Sequence, residues 1–320
     1  MTTDEITYSL FGLLVVLALA FDLGLVSKKN SHITISKALW QTVFWVSLAI
    51  AFMFFVWYEY GQEIAIQYLS AYLTEWSLSI DNIFVFILLF SFFGMKDEYS
   101  ARVLLIGILM AIVFRVIFIT VGIALVERFE WLLYIFGGIL VVTGIKMFAS
   151  KHGDEVNLSE NKVYSLMKRF IPLVHDDGGG RFKVIRDGKK YYTSLFAVVI
   201  MLATTDIVFA LDSIPAVFGI STHRVVIYTS NVFAVLGLRS LFFLLRGAVG
   251  KFAYLQQGIA IVLVFIGAKM LAEIFHVHVP IFISLLVILV CIVTSIVYSI
   301  SVSNREASKE VVNKGDVDLH

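Results

Sequence analysis

The chain has 320 residues, of which 59% are hydrophobic and only 15% charged, against roughly 45–50% and about 25% in soluble domains. A formal net charge of +1 excludes the strongly basic surface of a nucleic-acid binder, and a single cysteine, Cys291, excludes a disulfide framework or a cysteine metal cluster. Mean hydropathy is +0.91, and the apolar residues fall in runs that reach the ~20 residues needed to span a bilayer, so the fold class is an all-α polytopic membrane protein.

Nine transmembrane helices are predicted, over 8–26, 38–57, 65–93, 102–124, 131–149, 194–218, 224–246, 255–275 and 280–301. MTTDEITYSL lacks a basic n-region, so the first helix is expected to stay in the membrane. The first loop carries Lys28, Lys29 and Lys37, whereas the second carries only Glu59 and Glu63. Nine Lys and Arg residues crowd 150–192. Alternating spans put all these basic loops on one side, which predicts a plasma (inner) membrane protein with its N-terminus outside and C-terminus cytoplasmic. The expected units are two N-terminal helices (1–62), a three-helix block (63–149), a cytoplasmic linker (150–192), a second block (193–276), a final helix (277–302) and a cytoplasmic tail (303–320). Within the linker, HDDGGGRFKVIRDGKKYYTS reads as a flexible loop with a short hairpin, because Asp-Gly suits a two-residue turn.

The two blocks echo each other. EWSLSIDN, with Glu75 and Asp81, aligns with DIVFALDS, with Asp206 and Asp212, at a constant offset of 131 residues. GILMAIVFR ends at Arg115 and NVFAVLGLR at Arg239; TGIKMF holds Lys146 and IGAKML holds Lys269. Each block has three helices, an odd number, so the second copy enters the membrane in the opposite sense. That is the inverted-topology repeat of many secondary transporters.

All four acids fall near the middle of their spans. A charge there costs at least about 2.5–3.5 kcal/mol and calls for a partner or a pathway. On a continuous helix, residues six apart point about 120° from each other, so convergence of each acid pair predicts helices broken at the acidic motifs. Asp81-Asn82 and Asp212-Ser213 offer N-caps, and Pro215 follows in the first turn beyond. The resulting donors, Glu75, Asp81, Asn82, Asp206, Asp212, Ser213 and freed carbonyls, are hard oxygens that suit Mn²⁺, Mg²⁺, Ca²⁺ or protons.

EWSLSIDNIFVF, TTDIVFALDSIPAVF, SNVFAVLGLRSLFFLL and VFIGAKML resemble the TerC family of integral membrane proteins, in its long bacterial branch, from the ALAFDLG helix to the last span. The resemblance implies Mn²⁺ efflux or a part in tellurium resistance. It implies an ion site of Glu75, Asp81 and Asn82 in one half and Asp206, Asp212 and Ser213 in the other.

Arg115 and Arg239 are expected to gate or charge-balance this site by pairing with acids of the facing repeat. Asn231, beside Ser230, is a candidate for lining it, and Asp22 either lies on the ion path or serves locally, reaching the headgroups or pairing with Lys28. Lys146 and Lys269 are expected as anchors near the cytoplasmic ends of their spans, and His276 and His278 mark the short loop before Pro280. The chain is thus expected to be a secondary transporter that exports Mn²⁺ by alternating access, with protons as a coupling ion. Mn²⁺ is the substrate, and no organic cofactor or catalytic residue is expected. No GxxxxGK[ST] appears, so an ATP-driven pump would need another subunit, and no HExxH supports an intramembrane metalloenzyme. The competing reading is a membrane-embedded assembly factor that aids insertion or metallation of other proteins, with 150–192 as its working surface.

Overall fold

The computed structural model describes residues 3–26, 34–149, 162–174, 176–186, 189–246, 254–277 and 279–317, with the side chains of Asp22, Asp81 and Asp212 outside the described set. Helices α1 (Thr3–Val26), α2 (Ile35–Tyr60), α3 (Gln62–Phe92), α4 (Asp97–Arg128) and α5 (Leu132–Ala149) precede a small polar segment. That segment contains α6 (Lys162–Phe170) and the strands β1 (Lys183–Arg186) and β2 (Lys189–Tyr192). Helices α7 (Ser194–Phe218), α8 (Arg224–Leu236), α9 (Leu238–Arg246), α10 (Leu255–Ala272) and α11 (Ile281–Val317) follow. Among the described residues eight helices are long and apolar enough to cross a membrane alone, and α8 with α9, bent by 42°, is long and apolar enough to make a ninth as one broken span.

Successive crossings run in opposite directions, which defines two faces. On the N-terminal face the start of α1 meets the end of α2, where the Tyr60 hydroxyl donates to Asp4 at 2.7 Å, and the end of α4 meets the start of α8. On the opposite, hairpin face lie α6 and the two strands. Helices α3, α7 and α8 are buried most heavily, and polar side chains sit among their packed surfaces.

The expected breaks at the acidic motifs are absent: α3 runs unbroken through Glu75 and Asp81, and α7 through Asp206 and Asp212. Asp, Asn and Ser disfavour helix interiors by well under 1 kcal/mol each, whereas freeing backbone groups at membrane depth costs several. Ser77 is accommodated by donating its hydroxyl to the Leu73 carbonyl at 2.6 Å. Pro215 removes one bond near the end of α7, and the helix still continues to Phe218.

The interruption falls instead at Gly237, between α8 and α9. Its counterpart before Arg115 is Val113, and α4 passes that point without a break. Glycine is the weaker helix former by up to about 1 kcal/mol, and it marks where the two blocks differ.

Helices α5 and α10 run antiparallel and pack through glycine. A Cβ on Gly144 would lie 2.8 Å from the Ala260 carbonyl and 2.7 Å from the Val264 side chain. A Cβ on Gly267 would lie 2.6 Å from the Gly137 carbonyl and 2.9 Å from the Val141 side chain. Adding 123 turns Gly144 into Gly267, Gly137 into Ala260 and Val141 into Val264. The same contact is therefore made twice with its partners exchanged.

The linker carries the expected hairpin, with Arg186 paired to Lys189, and it also carries α6, a helix that the linker reading does not include. The stretch before the hairpin grips the helix ends. Lys96 pairs with Asp177 at 2.5 Å, and Arg102 donates to the Gly180 carbonyl at 3.2 Å while stacking 4.8 Å over the Phe182 ring. Gly178, Gly179 and Gly180 all have positive φ, and a Cβ on Gly180 would strike the Tyr99 ring at 2.6 Å. Ser194, at the start of α7, donates both its N–H and its hydroxyl to the Asp176 carbonyl at 3.0 Å. This strap thereby joins the first turns of α4 and α7. Helix α11 runs on to Val317, well past the boundary expected at residue 302.

Candidate ion site at Arg115

Four helices meet at one guanidinium. Arg115, on α4, has no solvent-exposed surface and is among the largest fully buried side chains. Its Nη1 donates to Glu75 Oε1 of α3 and, at 3.3 Å, to Asn231 Oδ1 of α8. Its Nη2 donates to Asp206 Oδ1 of α7 at 3.4 Å. Glu75 and Asp206 are themselves buried. Asn231 is held by its own helix, with Nδ2 donating to the Ile227 carbonyl at 3.0 Å, which turns its oxygen toward Arg115.

Two carboxyls thus share one guanidinium. Glu75 Oε2 and Asp206 Oδ2 are buried without a hydrogen-bond partner in the structure, as are the hydroxyls of Thr74, Ser79, Ser213 and Ser230. Buried polar atoms are normally satisfied, so this concentration of free oxygens marks a polar centre inside an apolar bundle. A void of about 10 Å³ borders Asp206 toward the hairpin face, lined by Gly107, Ala111 and Leu238 among others. It is at the limit for one water.

On the N-terminal face a mouth of about 670 Å³ opens between the ends of α3, α4, α7 and α10. Its lining includes Gln67, Glu127, Ser221, Arg224 and Lys269. Arg224 and Glu127 form a two-pronged pair across it at 2.5–2.9 Å, and Ser221 donates to Gln67 at 2.5 Å.

The structure brings together Glu75, Arg115, Asp206 and Asn231. Ser213 and Asn82 are buried, and Arg239 is buried in the first turn of α9. Asp81 and Asp212 lie on the same helices as Glu75 and Asp206, about 120° around each helix axis. Asp22 lies on α1, and its pairing with Lys28 falls outside the described residues. Among the described residues no three His, Cys, Asp or Glu side chains form a metal-holding group, a set that leaves out Asp81 and Asp212.

Lys269 corrects the expectation for its helix. It lines the N-terminal mouth, donating to the Gly219 carbonyl at 3.3 Å, whereas Lys146 lies at the other end of its own helix, toward the hairpin face. The two helices run in opposite directions, so matched residues reach opposite faces. His276 adopts a left-handed conformation at φ 57° and is exposed, while His278 is outside the described residues. Thr74, Ser79, Gln67, Ser221 and Glu127 were not singled out from sequence. Thr74, Ser79 and Gln67 share α3 with Glu75, which could have drawn attention to them; Ser221, in the loop after α7, and Glu127, at the end of α4, carried no such signal.

A family model described as "Integral membrane protein TerC family" matches residues 60–307. The chain belongs to the TerC family. The match begins just before α3, so it takes in both acidic motifs, and similarity beyond it extends toward the N-terminus. "Uncharacterized membrane protein STKORF319" of Myxococcus xanthus is 43% identical over 92% of this chain and 91% of its own. A Rickettsia felis protein named "Uncharacterized membrane protein" is 37% identical over 92% of this TerC chain and 97% of its own. "Putative membrane-bound redox modulator Alx" of Salmonella typhi is 38% identical over 93% and 95%. No solved structure matches.

Proposed function

We propose that this TerC chain is a secondary transporter that exports a divalent cation, most favourably Mn²⁺, by alternating access around the buried carboxylates. One observation carries the reading: Arg115 bridges Glu75 of the first block and Asp206 of the second, so the charged centre is shared between the two halves. A guanidinium holding two carboxyls does what the cargo would do on arrival. An entering cation can take the free oxygens Glu75 Oε2 and Asp206 Oδ2 and loosen Arg115, with Asp81, Asn82, Asp212, Ser213 and Asn231 completing an oxygen set suited to a hard ion. A proton can replace the cation on the same carboxylates, which is the basis for exchange. The cation is cargo, and no covalent step or organic cofactor is assigned to the chain.

The exchanged glycine contacts of α5 and α10 support an inverted repeat, as does the packing of α3 on α8 and α4 on α7. Such a fold can rock about a fixed midplane site. The basic loops share the hairpin face, which the positive-inside rule makes cytoplasmic, at the plasma (inner) membrane.

The test is Mn²⁺ flux into liposomes holding the purified protein. Asp81→Asn and Asp212→Asn are each expected to abolish most of the flux while the protein still inserts and elutes as the parent does. Undiminished flux in both would sink the carboxylate assignment.

A second reading has its own observation. The folded strap on the hairpin face offers a protein-facing surface, in line with an assembly factor or with the redox role in the Alx relatives' printed name. A dithiol mechanism within this chain is not available, because Cys291 is the only cysteine. Replacing 153–185 with a Gly/Ser linker separates the readings: an assembly factor would lose its cellular effect while flux in vesicles persists.

A further inference from the structure

One helix of the linker takes no part in the central site. α6 reads KVYSLMKRF, with Lys162, Lys168 and Arg169 and no acid. One side of it docks on the bundle. Tyr164 and Met167 are buried, and the Tyr164 ring meets Phe92 and Phe93 edge-on at 5.8 and 5.2 Å. The other side is uncovered: Leu166 and Phe170, one turn apart, are 58% and 73% exposed. At 100° per residue they point roughly 120–160° away from Tyr164.

An exposed Leu–Phe pair alone is ordinary, but its place in the fold decides its meaning. Phe92 is the last residue of α3, is itself partly exposed, and lies one turn beyond the equally exposed Leu88. These two form an exposed apolar pair at the last turns of a membrane-spanning helix whose earlier described residues from Ile64 onward are buried or half-buried, so α6 docks at the end of that span. The exposed guanidinium of Arg169 lies 6.0 Å from the Phe170 ring centroid, at the edge of the stripe.

We propose that α6 is an interfacial helix, with Leu166 and Phe170 entering the acyl boundary of the adjacent leaflet and its basic residues meeting anionic lipid phosphates. The occupant of the uncovered face is the lipid leaflet itself. Two features favour it: α6 is seated through Tyr164 on the exposed Phe92 at the end of a membrane-spanning helix, and its charge is wholly basic. Nine residues are too few for a stable helix in water, so the docked and lipid-covered sides hold it together. The linker is then tied to the leaflet next to the strap that joins α4 and α7, whatever the chain transports.

Depth measurements on the full-length chain test this. In a Cys291→Ser background, nitroxide labels are placed at Leu166→Cys, Phe170→Cys and, outside the stripe, Ser165→Cys. The proteins are reconstituted at one copy per lipid nanodisc with phosphatidylglycerol. Labels at 166 and 170 should collide with oxygen several-fold more, relative to a water-soluble nickel chelate, than the label at 165. A preference for the chelate at both positions overturns the proposal. So does a lipid signature that appears only with two copies per disc, which would assign the face to a second copy. Arg169→Glu should lower the ratio at 170, and an unchanged ratio removes the headgroup part. In the unlabelled chain, amide exchange across 164–170 should slow when phosphatidylglycerol is added to neutral discs, and no change counts against the proposal.

Discussion

Removing the guanidinium of Arg115 would leave Glu75 and Asp206 buried around a vacated space with no counter-charge. Breaking a buried ion pair from one side costs about 3–5 kcal/mol, whereas replacing both partners costs far less. Arg115→Met should therefore lower the thermal midpoint in detergent sharply. Arg115→Met combined with Glu75→Gln should recover part of the loss, and a double-mutant cycle measures the coupling. If the single and double variants melt alike, the cluster is not the electrostatic unit described above. A second pair behaves differently because it is wet. Lys96 beside Asp177 holds that carboxyl below the usual carboxylate range, and Asp177 in turn raises Lys96. The depressed acid contributes above its unfolded pKa, and its contribution is lost as pH falls through the folded value. The raised lysine contributes below its unfolded pKa, and its contribution is lost as pH climbs through the folded one. Strap docking should thus be flat across the neutral range and loosen at both extremes. Protease cutting at 176–181 should follow that profile in the parent, while Asp177→Asn should remove the acidic limb. Both groups are exposed enough that the effect on global stability is small.

At the scale of elements, α5 offers a comparison within a single helix. Gly138 has open space where a Cβ would go, but Gly144 abuts the backbone of α10. Gly138→Ala should be neutral or stabilise by up to about 1 kcal/mol through helix propensity. Gly144→Ala should destabilise by about 1–3 kcal/mol through overpacking. Opposite signs in one thermal-shift series would establish the close crossing. The nine crossings were legible because their apolar runs are long and their loops short. The broken helices were misplaced because capping residues were weighed as they act in water. In an apolar surround the backbone bonds outweigh them, so a break follows the glycine at 237 rather than the Asp-Asn pair at 81 and 82. Helix α6 was missed because nine residues give little periodicity and its order depends on contact with Phe92 and Phe93.

For the whole molecule, the four-residue centre was partly readable. The residue types and their depth pointed to acids needing arginines, and the matched motifs pointed to two halves. Which acid meets which arginine depends on the rotation of each helix about its axis, and that is set by packing. Arg115 takes one acid from its own block and one from the other. The two ends of the bundle are also unlike: a mouth lies at one, and the strap closes over the first turns of α4 and α7 at the other. With single cysteines in the Cys291→Ser background, a water-soluble maleimide should label Gln67→Cys quickly and Val198→Cys, its counterpart by the 131 offset, slowly. Saturating Mn²⁺ should change the ratio of the two rates if the halves exchange conformations, and equal rates under all conditions would argue against an alternating fold.

The sharing of Arg115 also imposes an order on biosynthesis. Glu75 lies 40 residues upstream of Arg115, so α3 is already present when α4 reaches the insertion machinery. Asp206 comes 91 residues later, a delay of roughly 5–20 s at ~5–20 residues per second. During that interval Glu75 is the described partner at hand to offset the charge of an arginine at mid-membrane. The first two helices of the leading block would then have to leave the translocon as a pair, with the site left half-built until its second acid arrives.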